Sequence, residues 1–356
     1  SKDRVSDFHL LSKTKGTTSV DDDFEYIKLN AGEHGFYRSM YDHALLARLL
    51  VALENQTLSV INQLGLLRDL TELCKGGLLS TDVYLETLTY VADKQSYVTW
   101  MEIGRSLGEI NNITGESEPF DEYALSIFKP VMHSLGYEKQ AKETTSRSLL
   151  RTIAMSSLAK YGDKKTINYC EKLFAKHLKG AALPADLRMV VYGVVAQNGG
   201  MKEFKQLKTL FEKATMSEER NRLGEALFMF HNEDCINSAV EFAFSDGIKS
   251  QDLPIMIHRG FSNSHARNIM WNTITSRWDE ILVRFQKGSL LGTIIAGAGY
   301  FTTDKDYKKV ELFYKKSRHA GSEQAVAKAL ENIKINGAWF ERDVKLITSY
   351  LKNASK

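Results

Sequence analysis

KLNAGEHGFYRSMYD, residues 28–42, separates two kinds of sequence. Before it, FHLL (8–11) and FEYIKLN (24–30), and within it GFYRSMY (35–41), are short apolar runs divided by polar, glycine-containing or acidic stretches, and all three read as strands. In FEYIKLN, Phe24 and Tyr26 point to one side and Glu25 to the other, and Gly32 and Gly35 bracket a hairpin turn. So few strands leave an open sheet edge and an uncovered apolar face. The expectation is therefore the tail of a β-domain, residues 1–41, leading into a second region, 42–356.

From Asp42 onward the apolar spacing is helical. Ile167, Cys170, Phe174 and Leu178 stand at i, i+3, i+7 and i+11, and Phe204, Leu207 and Phe211 repeat the first three steps, with Lys and Glu on the opposite side. Starts are marked by Ser80-Thr81-Asp82 and by the capping-box patterns beginning at Thr215 and Thr303. Stops are marked by Gly76-Gly77, Gly136, Gly162, Gly180 and Gly199-Gly200. Pro119, Pro184 and Pro254 suit first turns or loops, and Pro130 is expected to kink its helix. Many amphipathic helices with short links and no second β-region predict a mostly α fold of stacked hairpins, an α-solenoid without a fixed sequence period.

The 356 residues suit two domains or one elongated array, and 43% hydrophobic with 26% charged residues is a globular balance. A net charge of +3, from 47 basic and 44 acidic side chains dispersed along the chain, supplies no polybasic stripe, so no nucleic-acid partner is expected. Cys74, Cys170 and Cys235 lie far apart without a C-x-x-C pair, and buried free thiols are expected. No apolar run reaches the ~20 residues of a membrane helix, and SKDRVSDF lacks a signal-peptide core. The compartment stays open, with the cytoplasm favoured.

None of the nine histidines stands in an H-E-x-x-H pattern, and neither a G-x-S-x-G elbow nor a phosphate-binding G-x-x-x-x-G-K-[ST] loop occurs. His258 and His265, seven apart, are divided by Gly260 and do not assemble a zinc site. GTIIAGAG (292–299) lacks both the preceding strand and the following lysine of a phosphate loop, which points to close helix packing. No catalytic and no metal-ligating residue is assigned. Trp271 and Trp278, seven apart on one helical face, and Trp339 with Phe340 read as core or, alternatively, as part of a binding wall to which Arg259 and Arg277 bring carboxylate-gripping charge.

Taken together, the motifs resemble a known family. DFEYIKLNAGEHGFYRSMYD is similar, through Lys28, Asn30, Gly35, Tyr37, Arg38, Tyr41 and Asp42, to the K-x-N…G-Y-Y-R-x-x-Y-[DE] segment of gluzincin-type zinc aminopeptidases, the family of puromycin-sensitive and endoplasmic-reticulum aminopeptidases. Phe36 replaces the commoner first Tyr. Trp271, Ile274, Trp278 and Ile281 resemble the family's W-x-x-[IL]-x-x-x-W-x-x-[IL] helix, and Ile333, Asn336, Trp339, Ile347, Tyr350 and Leu351 its closing pattern, with Gly337 in place of an Ile at the turn before the final helix.

The resemblance implies a C-terminal bowl of irregular HEAT- or armadillo-like hairpins, an α-α superhelix, preceded by the end of a small β-sandwich and closing over a catalytic domain. It implies zinc and the H-E-x-x-H and G-x-M-E-N motifs in that catalytic domain, no cofactor in this chain, and as partners the catalytic and β-sandwich domains of one parent protein and a peptide substrate. Tyr37 and Arg38 at the seam, with Arg259 and Arg277, are the candidate substrate-binding residues; interdomain packing and a fixed ion pair are the alternative for the first two. Phe230 and His231 stand about where a related protein carries a basic residue. A stand-alone helical scaffold that binds a protein or peptide on its concave face is the second reading, and a cryptic metal enzyme the third.

Overall fold

The computed structural model describes residues 12–17, 24–91, 96–245, 248–285 and 290–354. Among these residues there are seventeen α-helices and three short 3-10 turns, and no strand. Helix begins where the apolar spacing changes: Asp42 is the N-cap of α1 (His43–Glu54), its carboxylate accepting the Leu45 N–H at 2.8 Å.

FEYIKLN and GFYRSMY are irregular, which corrects the strand reading, while FHLL lies outside the described residues. The reason lies in where the backbone donors go. Strands need a ladder to pair their N–H groups, whereas here side chains do it: the Leu29 N–H donates to the Tyr41 hydroxyl at 3.0 Å, the Gly35 N–H to Asn30 Oδ1 at 2.6 Å, and the Gly32 N–H to Asn62 Oδ1 at 2.8 Å.

Two compact units are distinguished, residues 1–106 and 107–356. The first holds α1, α2 (Val60–Lys75) and α3 (Thr81–Leu88), and α4 (Tyr97–Thr114) begins in it. Leu49, Leu53, Leu66, Leu67, Leu85 and Ile103 have no solvent exposure and form its core. Two polar pairs stand inside that core: the Tyr84 hydroxyl donates to Ser106 Oγ at 2.6 Å and Thr99 Oγ1 to Gln63 Oε1 at 3.2 Å.

The second unit holds α5 (Glu118–Leu135), α6 (Thr145–Lys160), α7 (Lys164–Leu178), α8 (Arg188–Asn198), α9 (Met201–Lys213), α10 (Ser217–Leu227), α11 (Glu233–Ala243), α12 (Leu253–Ser262), α13 (Arg267–Ser276), α14 (Trp278–Phe285), α15 (Leu290–Ala296), α16 (Asp304–Lys316) and α17 (Glu323–Ala354). Consecutive helices pair, α5 with α6, α7 with α8 and α9 with α10, while α17 packs on α15, α16 and α5. The stripes read from sequence point inward: Cys170 and Phe174 on α7 and Phe204, Leu207 and Phe211 on α9 are buried.

Polar side chains tie neighbouring hairpins together at a near-constant sequence distance. Arg188 pairs with Glu219 at 3.0 Å, Arg259 with Glu225 at 2.6 Å and Arg277 with Glu241 at 3.0 Å. Asn263 Nδ2 donates to the Phe228 and Phe230 carbonyls, and Asn336 Nδ2 to those of Gly299 and Phe301. These partners stand 31 to 37 residues apart.

Several element boundaries differ from the sequence reading. α10 starts from Met216 rather than from a Thr215 box, and Gly199 takes an extended φ of −97° rather than the left-handed conformation found at Gly136 and Gly162. Trp271 and Trp278 lie on two helices divided at Arg277, not on one. The turn expected at Gly337 is absent, since α17 runs through it for 32 residues. A Cβ at Gly337 would stand 3.1 Å from the Thr302 carbonyl, so the glycine lets that backbone approach the helix.

Candidate functional site

The first unit contains a cleft of about 300 Å³ lined by Glu33, Arg38, Ile61, Leu64, Gly65, Arg68, Glu72 and Arg105. Its arginines are anchored by carboxylates hidden in the apolar stripes of α2 and α4. Asp69, flanked by Leu66, Leu67 and Leu70, is fully buried; it accepts the Ser39 N–H at 3.0 Å and Arg38 Nη1 at 3.3 Å. Glu102, 2% exposed, accepts Arg68 Nε at 3.1 Å and Arg105 Nε at 3.0 Å. Burial alone would push the Glu102 carboxyl up, but hydrogen bonds and charge from Arg105 and Arg68 outweigh it and hold it below the ordinary carboxylate range.

Each guanidinium is thus anchored at one edge. The Arg38 and Arg68 side chains remain about half exposed, at 51% and 48%, so the remaining N–H donors of each fork meet solvent in the cleft. Glu33 balances part of this charge and pairs with Lys28 at 2.9 Å, as Glu72 does with Lys75 at 2.9 Å. Lys28, Arg38, Arg68, Lys75 and Arg105 against Glu33, Asp69, Glu72 and Glu102 leave one positive charge in excess. Gly65 makes room for this arrangement, because a Cβ there would stand 1.9 Å from Glu33 Oε1. A planar, fixed guanidinium group of this kind is suited to a carboxylate.

The residues proposed from sequence divide as follows. Tyr37, 56% exposed, and Arg38 belong to the first unit, next to the cleft and in it. Arg259 and Arg277 belong to the second unit, on different elements, and each is committed to a glutamate; Arg277 also lies 5.0 Å over the Phe244 ring. Trp271 and Trp278 are buried against Phe313 and Tyr314, as core. His258 sits on α12 and packs on Tyr300, whereas His265 lies past the end of α12, stacked on His231 at 4.2 Å and 3.2 Å from Glu116.

Arg68 and Arg105 were not singled out by the sequence. The available signal was an acid inside an apolar stripe, Asp69 in GLLRDLTEL and Glu102 in TWMEIGRSL, because a buried carboxylate requires a cationic or hydrogen-bonding partner. Among the described residues, no group of three or more His, Cys, Asp or Glu converges to hold a metal ion, so zinc has no fitting donor set there. No described helix is long and apolar enough to cross a membrane.

Residues 26–335 match the family model of the ERAP1-like C-terminal domain. The chain belongs to this family. Several curated proteins similar to the chain are aminopeptidases. Aminopeptidase 2 of Candida albicans is 25% identical over 360 residues, covering 98% of this chain and 39% of that protein. Glutamyl aminopeptidase of Homo sapiens is 27% identical over 340 residues, with 92% of this chain and 35% of that protein covered. Puromycin-sensitive aminopeptidase of Caenorhabditis elegans is 24% identical over 348 residues, with 93% and 37% covered. The chain spans well under half the length of the relatives it matches.

Proposed function

We propose that this chain is the non-catalytic, C-terminal part of a zinc aminopeptidase and that it encloses peptide substrates over a catalytic domain carried elsewhere in the same polypeptide. The observation that carries the reading is the state of the segment that enters the helices. Leu29, Phe36, Tyr37 and Met40, four large apolar side chains within twelve residues, are exposed by 47%, 110%, 56% and 57%. An apolar run of this kind, on a segment tied down by ion pairs and side-chain hydrogen bonds, is suited to burial against another domain. In a chain covering 39% of its Candida relative, a preceding catalytic and β-sandwich region is the occupant that fits.

On this reading residues 1–41 are the seam and residues 42–356 the helical wall, a superhelix of irregular HEAT-like hairpins. The tie bonds between successive hairpins support that architecture. A closed chamber excludes bulk water and folded proteins and strengthens electrostatics inside it. Arg38, with Arg68 and Arg105 beside it, presents N–H donors to a peptide carboxylate, and Tyr37 offers ring and hydroxyl at its edge. Arg259 and Arg277 contribute positive charge to the wall while bound to their glutamates.

Fluorescence anisotropy tests the arginine cleft. A labelled peptide with a free carboxyl terminus is expected to bind about tenfold more tightly than its amidated twin, as loss of a charge-assisted hydrogen bond implies. Replacing both Arg38 and Arg68 by Gln is expected to abolish the difference. Equal binding of the two peptides to the unaltered chain would remove the cleft from the proposal.

A further inference from the structure

A second cavity, of about 400 Å³, opens in the second unit at the start of α5 and is lined by Glu116, Ser117, Glu118, Asp121, Glu122, Leu125 and Tyr161. Helix starts collect acids because their first N–H groups are unpaired. Glu118 and Asp121 meet that need in the first turn. Two features go beyond it.

The first is a surplus of negative charge. Burial, and then the charge of Glu116, drive the Asp121 carboxyl up to about 6, against the weaker pull of Lys160. Glu116 bonds outward to His265 at 3.2 Å and Ser264 at 3.4 Å. The Lys160 ammonium stands 5.3 Å over the Tyr161 ring and forms no ion pair with these carboxylates among the described residues.

The second is Tyr161 itself. The residue is 3% exposed, it lines the cavity, and among the described residues its hydroxyl has no hydrogen-bond partner. Asp121 lies near enough for its charge to act on that phenol. A buried hydroxyl left unpaired costs about 1–3 kcal/mol, and a donor arriving in the cavity would recover it.

We propose that this cavity is a binding site for an alkylammonium group. Asp121 and Glu116 take the charge, the Tyr161 oxygen accepts one of the ammonium hydrogens, and Leu125 with the Tyr161 ring covers the alkyl stem. An ammonium ion carries only donors and so complements a site lined by four carboxylates. A metal ion is disfavoured because no three ligating side chains converge there. The inference concerns this chain's second unit alone and does not depend on the aminopeptidase reading.

Calorimetry on the full chain at low ionic strength tests it, with cadaverine as one probe and, as the other, a short peptide carrying one lysine beside its Nε-acetylated twin. Saturable binding at one site is expected. Asp121→Asn should weaken it about tenfold or more, and Tyr161→Phe, which keeps the ring and removes only the hydroxyl, several-fold. Glu212→Gln, at an exposed carboxylate on α9, should leave it unchanged. Binding of cadaverine alone identifies a free amine as the occupant, and binding of the lysine peptide but not its twin identifies a basic side chain. Thermal melts of each variant establish that it is folded. The proposal is overturned by absence of saturable binding to either probe, by folded Asp121→Asn and Tyr161→Phe proteins that bind as the unaltered chain does, or by calcium occupying these residues in place of the amine.

Discussion

Asn30 takes a left-handed conformation, φ 50°, that asparagine tolerates better than most residues, and its side chain spans the turn, accepting the Gly35 N–H and donating to the Gly35 carbonyl at 3.0 Å. Tyr41 turns its hydroxyl inward to accept the Leu29 N–H, and burial pushes that phenol up to about 12. Lys28, Asn30, Tyr41 and Asp42, the residues through which the family was first visible, therefore shape the segment. Asp69 holds its far end. Asp69→Asn keeps the shape but removes the charge shared between Arg38 and the Ser39 N–H, and is expected to cost about 1.5–3 kcal/mol, read as a lower urea midpoint. An unchanged midpoint would mean that the buried carboxylate does not organise this loop. The sequence displayed these residues but not their use: alternation in FEYIKLN describes two faces, and nothing in it states whether a neighbouring strand is present to accept the ladder.

At the scale of elements, the best-read helices are those whose boundary chemistry is local. Thr303 Oγ1 accepts the Asp306 N–H at 3.1 Å as its pattern predicts, and Asp42 and Ser59 cap α1 and α2. Misreadings arose where packing decided instead. The stretch with Trp271 and Trp278 breaks at Arg277, yet both indoles reach the same Phe313 and Tyr314, and a spacing of seven residues fits two short helices as well as one long one. GTIIAGAG serves helix packing, as read: a Cβ on Gly297 would stand 2.2 Å from the Phe261 ring, and Gly297→Ala is expected to lower stability by about 1–3 kcal/mol through overpacking, seen in thermal melts.

The hairpin of α5 and α6 rests on a buried pair that the sequence did not announce. Arg151 contacts both oxygens of Glu143 at 2.6 Å and also donates to the terminal carbonyls of α5, Gly136 at 2.8 Å and Leu135 at 3.2 Å. The two side chains are 3% and 0% exposed. Arg151→Ala strands the carboxylate and two carbonyls, with an expected loss of about 3–5 kcal/mol in urea unfolding. The Arg151 hydrogen bonds depress the Glu143 carboxyl from 4.5 to about 2. The native state therefore binds the proton less readily than the unfolded chain, so this stabilisation is present in full above pH 4.5 and fades as pH falls toward 2. A stability profile flat across that window would contradict the pairing.

Across the whole molecule, the fold class was legible because a helical apolar period persists from Asp42 to the C-terminal helix, and a family model spans residues 26–335. The spacing of the polar ties between helices was not legible. They stand 31 to 37 residues apart, yet they are made by Arg with Glu in one place and by Asn with carbonyls in another, and backbone acceptors leave no mark on side-chain identity. The arginine cleft stayed hidden for a related reason, since Arg38, Arg68 and Arg105 converge only through two carboxylates separated in sequence by a helix and more.

The central claim is that this chain surrounds a peptide reaction without performing it. The most direct measurement is the turnover of aminoacyl-anilide substrates by the purified chain with zinc supplied in excess. Release of aniline no faster than in the protein-free zinc blank is expected, and sustained, chelator-sensitive hydrolysis proportional to chain concentration would overturn the non-catalytic reading.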